Sequence, residues 1–237
     1  MKKRTVEVCL SPEMLSLYPI ADKIVVIVDV FRATSTIATG LAQGVASIRP
    51  VADLDSCRSL KQEGYVLAGE RGGDKVADFE LGNSPFEFMD QKLSGAKIAL
   101  TTTNGTNAIE KARKAHQIVT GAFLNLGSLS KYLKSQDYPI LVLCAGWKGK
   151  FNLEDSLFAG ALADRLLPDF TLEGDASLAV KLLYQHMMVN LSGQLAQASH
   201  AKRLNSLEHK KDVEFCLQFD QYEVVPVLNE DHLVVMN

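Results

Sequence analysis

The stretch Ile24-Val25-Val26-Ile27-Val28-Asp29-Val30-Phe31-Arg32-Ala33-Thr34-Ser35-Thr36 decides the fold class. Five consecutive β-branched residues fit a strand covered on both faces, since such side chains crowd a helical turn but pack well on a pleated sheet. An acid and an arginine follow where the strand ends. Thr34 to Thr36 then lead into a helical pattern over residues 37–43, which stops at Gly44. Strand, polar loop and helix in that order form the unit from which parallel sheets are built.

The same order recurs along the chain. Strands are expected at residues 46–50, 65–68, 97–100, 117–120 and 140–144, and helices at 54–62, 107–115, 128–134 and 154–167. This alternation predicts an α/β protein with a mostly parallel sheet and helices on both faces. Beyond Pro168 the pattern changes to two helical stretches, 176–191 and 195–207, and short extended pieces at 213–219, 224–228 and 232–235. The expected organisation is one α/β domain over residues 1–237, with a helical segment near 176–207 and a short β tail near 213–235.

Composition narrows the function. The chain has 237 residues, 47% of them hydrophobic, enough for a substantial core. A formal charge of −3 and a pI near 6.0 argue against a nucleic-acid or membrane-surface partner, which needs a basic face. No apolar run has the length of a membrane span. The basic start Met-Lys-Lys-Arg is followed by only a short apolar stretch, broken by Ser11-Pro12-Glu13, so no signal peptide is expected. The cysteines, Cys9, Cys57, Cys144 and Cys216, are scattered with no CxxC pair. Reduced thiols in a cytoplasmic protein are expected.

In open α/β sheets, ligands bind beyond the carboxyl ends of the strands. Asp29 should emerge there, where a carboxylate can hold Mg²⁺, attack phosphorus or cap the next helix. Arg32 offers a forked contact to phosphate, carboxylate or sulfonate. Thr34-Ser35-Thr36 and Thr101-Thr102-Thr103-Asn104-Gly105-Thr106 place hydroxyls and N–H groups where helices begin, as an anion cradle or as ordinary caps. In Gly69-Glu70-Arg71-Gly72-Gly73, Glu70 can hold a metal and Arg71 an anion, or both can solvate a turn. Leu81-Gly82-Asn83-Ser84-Pro85 is a turn signal first and a binding loop second. Glu154 and Asp155 open a helix as metal ligands or as partners of its dipole. His200 and Arg203 share one helical face that either meets an anion or faces solvent. There is no GxxxxGK[ST], no GxGxxG opening a helix after a strand, no GxSxG and no HExxH. Asp29-Val30-Phe31 also lacks the second acid of a DxD phosphatase.

Taken together, Val28 to Thr36, Gly69 to Gly73, Leu81 to Pro85 and Thr101 to Thr106 resemble the signature segments of the 2-phosphosulfolactate phosphatase family. Cys144-Ala145-Gly146, Leu153-Glu154-Asp155, Ser199-His200-Ala201-Lys202-Arg203-Leu204 and the tail from Asp212-Val213-Glu214 to Val225-Pro226 extend the likeness to nearly the whole chain. The resemblance implies a three-layer α/β/α fold. It also implies a Mg²⁺-dependent hydrolase that converts 2-phospho-3-sulfolactate to 3-sulfolactate and phosphate, a step toward coenzyme M in methanogens. Relatives also occur in bacteria that make no coenzyme M.

On this reading Asp29 and Arg32 are catalytic, and Asp29 and Glu70 hold the metal with Glu154 or Asp155. The small anionic substrate is expected to meet Thr34, Ser35, Thr36, Arg71, Asn83 and Ser84. It is also expected to meet Thr102, Thr103, Asn104, Gly105, Thr106, His200 and Arg203. A homodimer is the commonest oligomer and so the default. Three rivals stand beside it: a phosphatase for another phosphorylated 2-hydroxy acid, a non-catalytic module that binds an anionic metabolite, and a structural protein with no small-molecule site.

Overall fold

A computed structural model describes residues 4–195, 198–199 and 207–236. In chain order its strands are β1 (Thr5–Cys9), β2 (Ile24–Val28), β3 (Ser47–Pro50), β4 (Val66–Arg71), β5 (Asp74–Lys75) and β6 (Lys97–Thr101). They continue as β7 (Gln117–Gly121), β8 (Ile140–Cys144), β9 (Thr171–Leu172), β10 (Pro226–Asn229) and β11 (His232–Val235). The helices are α1 (Ala33–Ala42), α2 (Leu54–Ser59), α3 (Gly105–Lys111), α4 (Leu126–Lys134), α5 (Leu153–Leu166), α6 (Asp175–Met187), α7 (Leu191–Leu195) and α8 (Leu207–Cys216).

The β-branched run becomes β2, paired in parallel with β7 on one side and β8 on the other. Its alternation separates two cores. Ile24, Val26 and Val28 join Ile140, Val142, Leu157 and Phe158 on one face of the sheet. Val25 and Ile27 join Ile37, Leu41, Ile109 and Leu143 on the other. Apolar packing on both faces of one sheet makes a three-layer α/β/α molecule, as expected from the sequence.

The sheet order is β5-β4-β6-β3-β11-β10-β7-β2-β8-β1-β9. Two parallel blocks, one from β9 to β7 and one from β3 to β4, are therefore joined by the antiparallel hairpin of β10 and β11. The hairpin meets β7 through Val227 opposite Val119 and β3 through Leu233 opposite Ile48. Three successive antiparallel pairings in a flat sheet would send the carboxyl ends of β2 and β6 to opposite edges. They meet instead, with Gly105 lying against Asp29, so the sheet must twist strongly between the blocks.

Several elements differ from the sequence reading. Thr5–Cys9, read only as a short apolar stretch, is strand β1 and pairs with β8 and β9. Gly69, Glu70 and Arg71 belong to the end of β4 rather than to a loop. Residues 213–216, expected to be extended, lie in helix α8. The apolar/polar alternation of Val213, Phe215, Leu217 and Phe219 mimics a strand. Tertiary contacts override it, since Asp212 and Cys216, one helical turn apart, are both buried. The extended pieces near the end of the chain are central strands. Most of the helix expected at 195–207 lies outside the described residues, as do His200 and Arg203.

Gly160 fixes how closely α5 and α6 approach. A Cβ there would lie 2.1 Å from the carbonyl oxygen of Val180 and 2.8 Å from Tyr184 Cβ. Gly160→Ala should therefore push the helices apart and lower stability by about 2 kcal/mol. Urea denaturation of the variant tests this, and an unchanged midpoint would contradict the close packing.

Candidate functional site

Loops from both parallel blocks converge on a cavity of about 10 Å³, room for roughly one water molecule or ion. It is lined by Asp29, Phe31 and Arg32 after β2, Glu70 and Gly73 around the end of β4, Asn83, Asn104 and Trp147. Arg32, Gly73 and Asn83 also border a much larger cleft of about 760 Å³, whose far wall includes Phe86, Lys75, His209 and Lys211.

Asp29 is held by its own loop. Its backbone N–H donates to Thr34 Oγ1 at 3.1 Å, and the Thr34 N–H donates back to the Asp29 carbonyl at 3.0 Å. The start of α3 comes close because residue 105 has no side chain. A Cβ there would stand 2.9 Å from Asp29 Oδ2 and 2.8 Å from Ala33 Cβ. Glu70 ties two loops together. Its Oε1 accepts the Thr103 N–H at 2.6 Å, and its Oε2 accepts the Gly73 N–H at 2.7 Å and the Thr103 hydroxyl at 3.2 Å. Asn104 Oδ1 accepts the Lys148 N–H at 3.2 Å, which brings in the loop after β8.

Arg32 is buried, follows a cis peptide bond after Phe31, and is fully oriented by protein groups. Its Nη1 donates to Asp212 Oδ2 at 2.5 Å, and its Nη2 donates to the Gly73 carbonyl at 2.8 Å. Ser84 donates to the other Asp212 oxygen at 2.6 Å. Sequence reasoning missed Asp212 as a site residue. The only local signal is a single acid ending the basic run His209-Lys210-Lys211, which reads as a solvated face.

Asp155 stands behind the cavity and not in its lining. Its two oxygens accept the backbone N–H groups of Val30 at 2.9 Å and Gly146 at 3.0 Å. Burial, and then the charges of Glu154 and Asp29, push its carboxyl well above the usual range, against those two hydrogen bonds. Glu154 is likewise almost wholly buried, and neither acid belongs to the cavity lining. Among the described residues no group of three or more His, Cys, Asp or Glu is placed to hold a metal ion. The four expected acids thus divide into Asp29 and Glu70 in the cavity lining and Glu154 and Asp155 buried outside it.

The hydroxyls expected to cradle an anion are committed inside the loops. Ser35 donates to the Val30 carbonyl and Thr36 to the Asn83 carbonyl. Thr102 and Thr106 bond reciprocally across the turn before α3. These side chains shape the loops as caps do. Arg71 is bound to the Glu70 carbonyl and to Thr101 Oγ1 and is absent from both cavity linings. Burial pushes the Cys216 thiol up to about 12, which removes it as a nucleophile at neutral pH.

Two outcomes follow. Asp212→Ala leaves the Arg32 charge buried without its partner, so it should cost about 3–5 kcal/mol, against about 1 kcal/mol for Ser84→Ala. Urea denaturation of both variants checks the ranking. Asp155, whose folded-state pKa lies above its unfolded value, contributes stability that is present below the unfolded pKa and lost as pH rises through the folded one. Asp29→Asn removes one of the charges responsible. The variant should therefore gain stability relative to wild type as pH rises from 5 to 8, by denaturant midpoint. A constant difference would separate the two groups electrostatically.

The 2-phosphosulpholactate phosphatase family model matches residues 9–231 of the chain. A probable 2-phosphosulfolactate phosphatase of Thermotoga petrophila is 42% identical over 210 residues, covering 89% of this chain and 91% of the relative. One of Caldanaerobacter subterraneus is 36% identical, with 87% and 88% covered, and one of Trichormus variabilis is 37% identical, with 86% and 87% covered. The match runs from the last residue of β1 to the turn before β11 and so takes in both blocks of the sheet and every loop that lines the cavity. The chain belongs to the 2-phosphosulpholactate phosphatase family.

Proposed function

We propose that the protein hydrolyses 2-phospho-3-sulfolactate to 3-sulfolactate and phosphate, with Mg²⁺ as cofactor. The observation that carries this reading is the convergence of Asp29, Glu70, Arg32, Asn83 and Asn104 on one small cavity at the mouth of a larger cleft. It joins carboxylates that can hold a cation to a guanidinium that can face an anion, as phosphoryl transfer requires. The names borne by the relatives point to the same substrate.

The donor set fits Mg²⁺. Its oxygens come from two carboxylates and two carboxamides, and Mg²⁺ takes hard oxygen ligands from one or two carboxylates while keeping several waters. Asp29 and Glu70 would hold it, and bound there it would neutralise charge on the phosphoryl oxygens. The chain's own groups do the rest. Arg32, locked by Asp212 and Gly73, presents a fixed positive charge where the cavity meets the cleft. Asp155 anchors Val30 and Gly146, and so fixes the loops after β2 and β8 that bracket Asp29. Hydrolysis breaks one ester P–O bond, and water supplies the new phosphate oxygen and the proton on the hydroxy acid. Glu70 also positions Thr103 and Gly73 through their backbone N–H groups. Four buried cysteines, none in a disulfide, support a reducing, cytoplasmic setting. No described helix is long and apolar enough to cross a membrane.

Phosphate release from phosphosulfolactate and from phospholactate, each with Mg²⁺ and with EDTA, tests the assignment. Mg²⁺-dependent release that favours the sulfonated substrate is expected, and Asp29→Asn should lower it roughly a hundredfold or more. Equal rates on the two substrates would move the assignment to another phosphorylated 2-hydroxy acid. No release from either by folded protein would leave a binding module.

A further inference from the structure

We propose that Asn83 Oδ1 is a ligand of the divalent cation, a third, neutral oxygen beside Asp29 and Glu70; this rests on the metal-dependent reading above. Asn83 is 6% exposed and belongs to the lining of both the small cavity and the cleft. Its carbonyl accepts the Thr36 hydroxyl at 3.0 Å, which fixes the backbone. Its side-chain Oδ1, by contrast, is buried with no hydrogen-bond partner. Folded proteins rarely leave such an acceptor unsatisfied, and exceptions mark ions, waters or catalytic roles.

The chemistry of the surroundings restricts what can satisfy it. An anionic phosphate ester offers oxygen acceptors, which repel another acceptor. The one cation in the cavity lining among the described residues, the Arg32 guanidinium, already has both terminal nitrogens engaged, by Asp212 and by Gly73. A cavity sized for one small body would admit a water or an ion, and the two carboxylates of Asp29 and Glu70 in the same lining favour a hard cation as the partner of Oδ1. A neutral third oxygen adds a ligand without adding to the repulsion among the acids, to which Asp29 and Glu154 already contribute at Asp155. The sequence reading had placed Asn83 against substrate; its unsatisfied acceptor reassigns it to the cation.

The test is Mn²⁺ binding, followed by the free-ion electron paramagnetic resonance signal, for wild type, Asn83→Leu and Asn83→Asp. Thermal melts in EDTA establish that each variant is folded. Asn83→Leu removes the oxygen at similar size and should weaken Mn²⁺ binding at least tenfold, about the effect of losing a metal-orienting group. Asn83→Asp keeps the oxygen and should bind Mn²⁺ at least as tightly as wild type. If Asn83→Leu binds like wild type, or Asn83→Asp is weakened, the assignment is overturned, the latter pointing to an N–H donor role. If the leucine variant does not fold, the aspartate variant alone decides. Turnover without Mn²⁺ binding would overturn this inference and leave the phosphatase standing. Mn²⁺ binding that depends on Asn83, without phosphate release from either substrate, would do the reverse.

Discussion

The candidate site depends on two parallel blocks of one sheet bringing their carboxyl ends to the same place. The C-terminal hairpin makes that demanding, because it inserts between β7 and β3 and reverses the nominal strand direction three times. Only a strongly twisted sheet reconciles this topology with Gly105 resting on Asp29. The single residue pair on either side of the hairpin suits strands that cross at a steep angle, since a long ladder would hold the blocks flat. The site is therefore a seam between two half-sheets, and its residues are drawn from both.

The seam is fastened by buried charge. Arg32 and Asp212 lie 180 residues apart in sequence, and their pair joins the β2 loop to α8, while Ser84 and Gly73 attach the second block to the same point. Such a pair need not add net stability compared with an apolar one. What it supplies is orientation: a guanidinium bonded on two sides keeps one attitude toward the cavity. Beneath it, Asp155 sustains an unfavourable burial next to Glu154 and Asp29 to hold two backbone N–H groups. Concentrating like charge at one point is a common trait of sites that must capture a cation or an anion.

Much of this was legible in the sequence, for physical reasons that also explain the gaps. The β-branched run of 24–28 announced a doubly covered strand, and the polar junctions after it and after residue 100 marked the right end of the sheet. Asp29, Arg32, Glu70, Asn83 and Asn104 were all read as site candidates, and all line one cavity. Side-chain direction was not legible. Ser, Thr and Arg at loop ends serve caps as readily as ligands, and here Ser35, Thr36, Thr102, Thr106 and Arg71 bond within the protein. Asp212 was hidden because its importance comes from a partner 180 residues away and from a helix disguised by alternating apolar residues. β1 was overlooked because five residues beside a turn carry too little pattern to stand alone.

The hairpin also bears on how the chain comes to be folded. During synthesis β7 and β3 emerge long before residues 226–235, so each exposes an unpaired edge while it waits for its partner. Exposed edges of this kind are templates for pairing with other chains. A sheet whose keystone is made last also carries a high proportion of long-range contacts, and its closure is correspondingly slow. The topology allows a stage at which both half-sheets have formed while the seam between them has not, and at that stage the two waiting edges are open to aggregation.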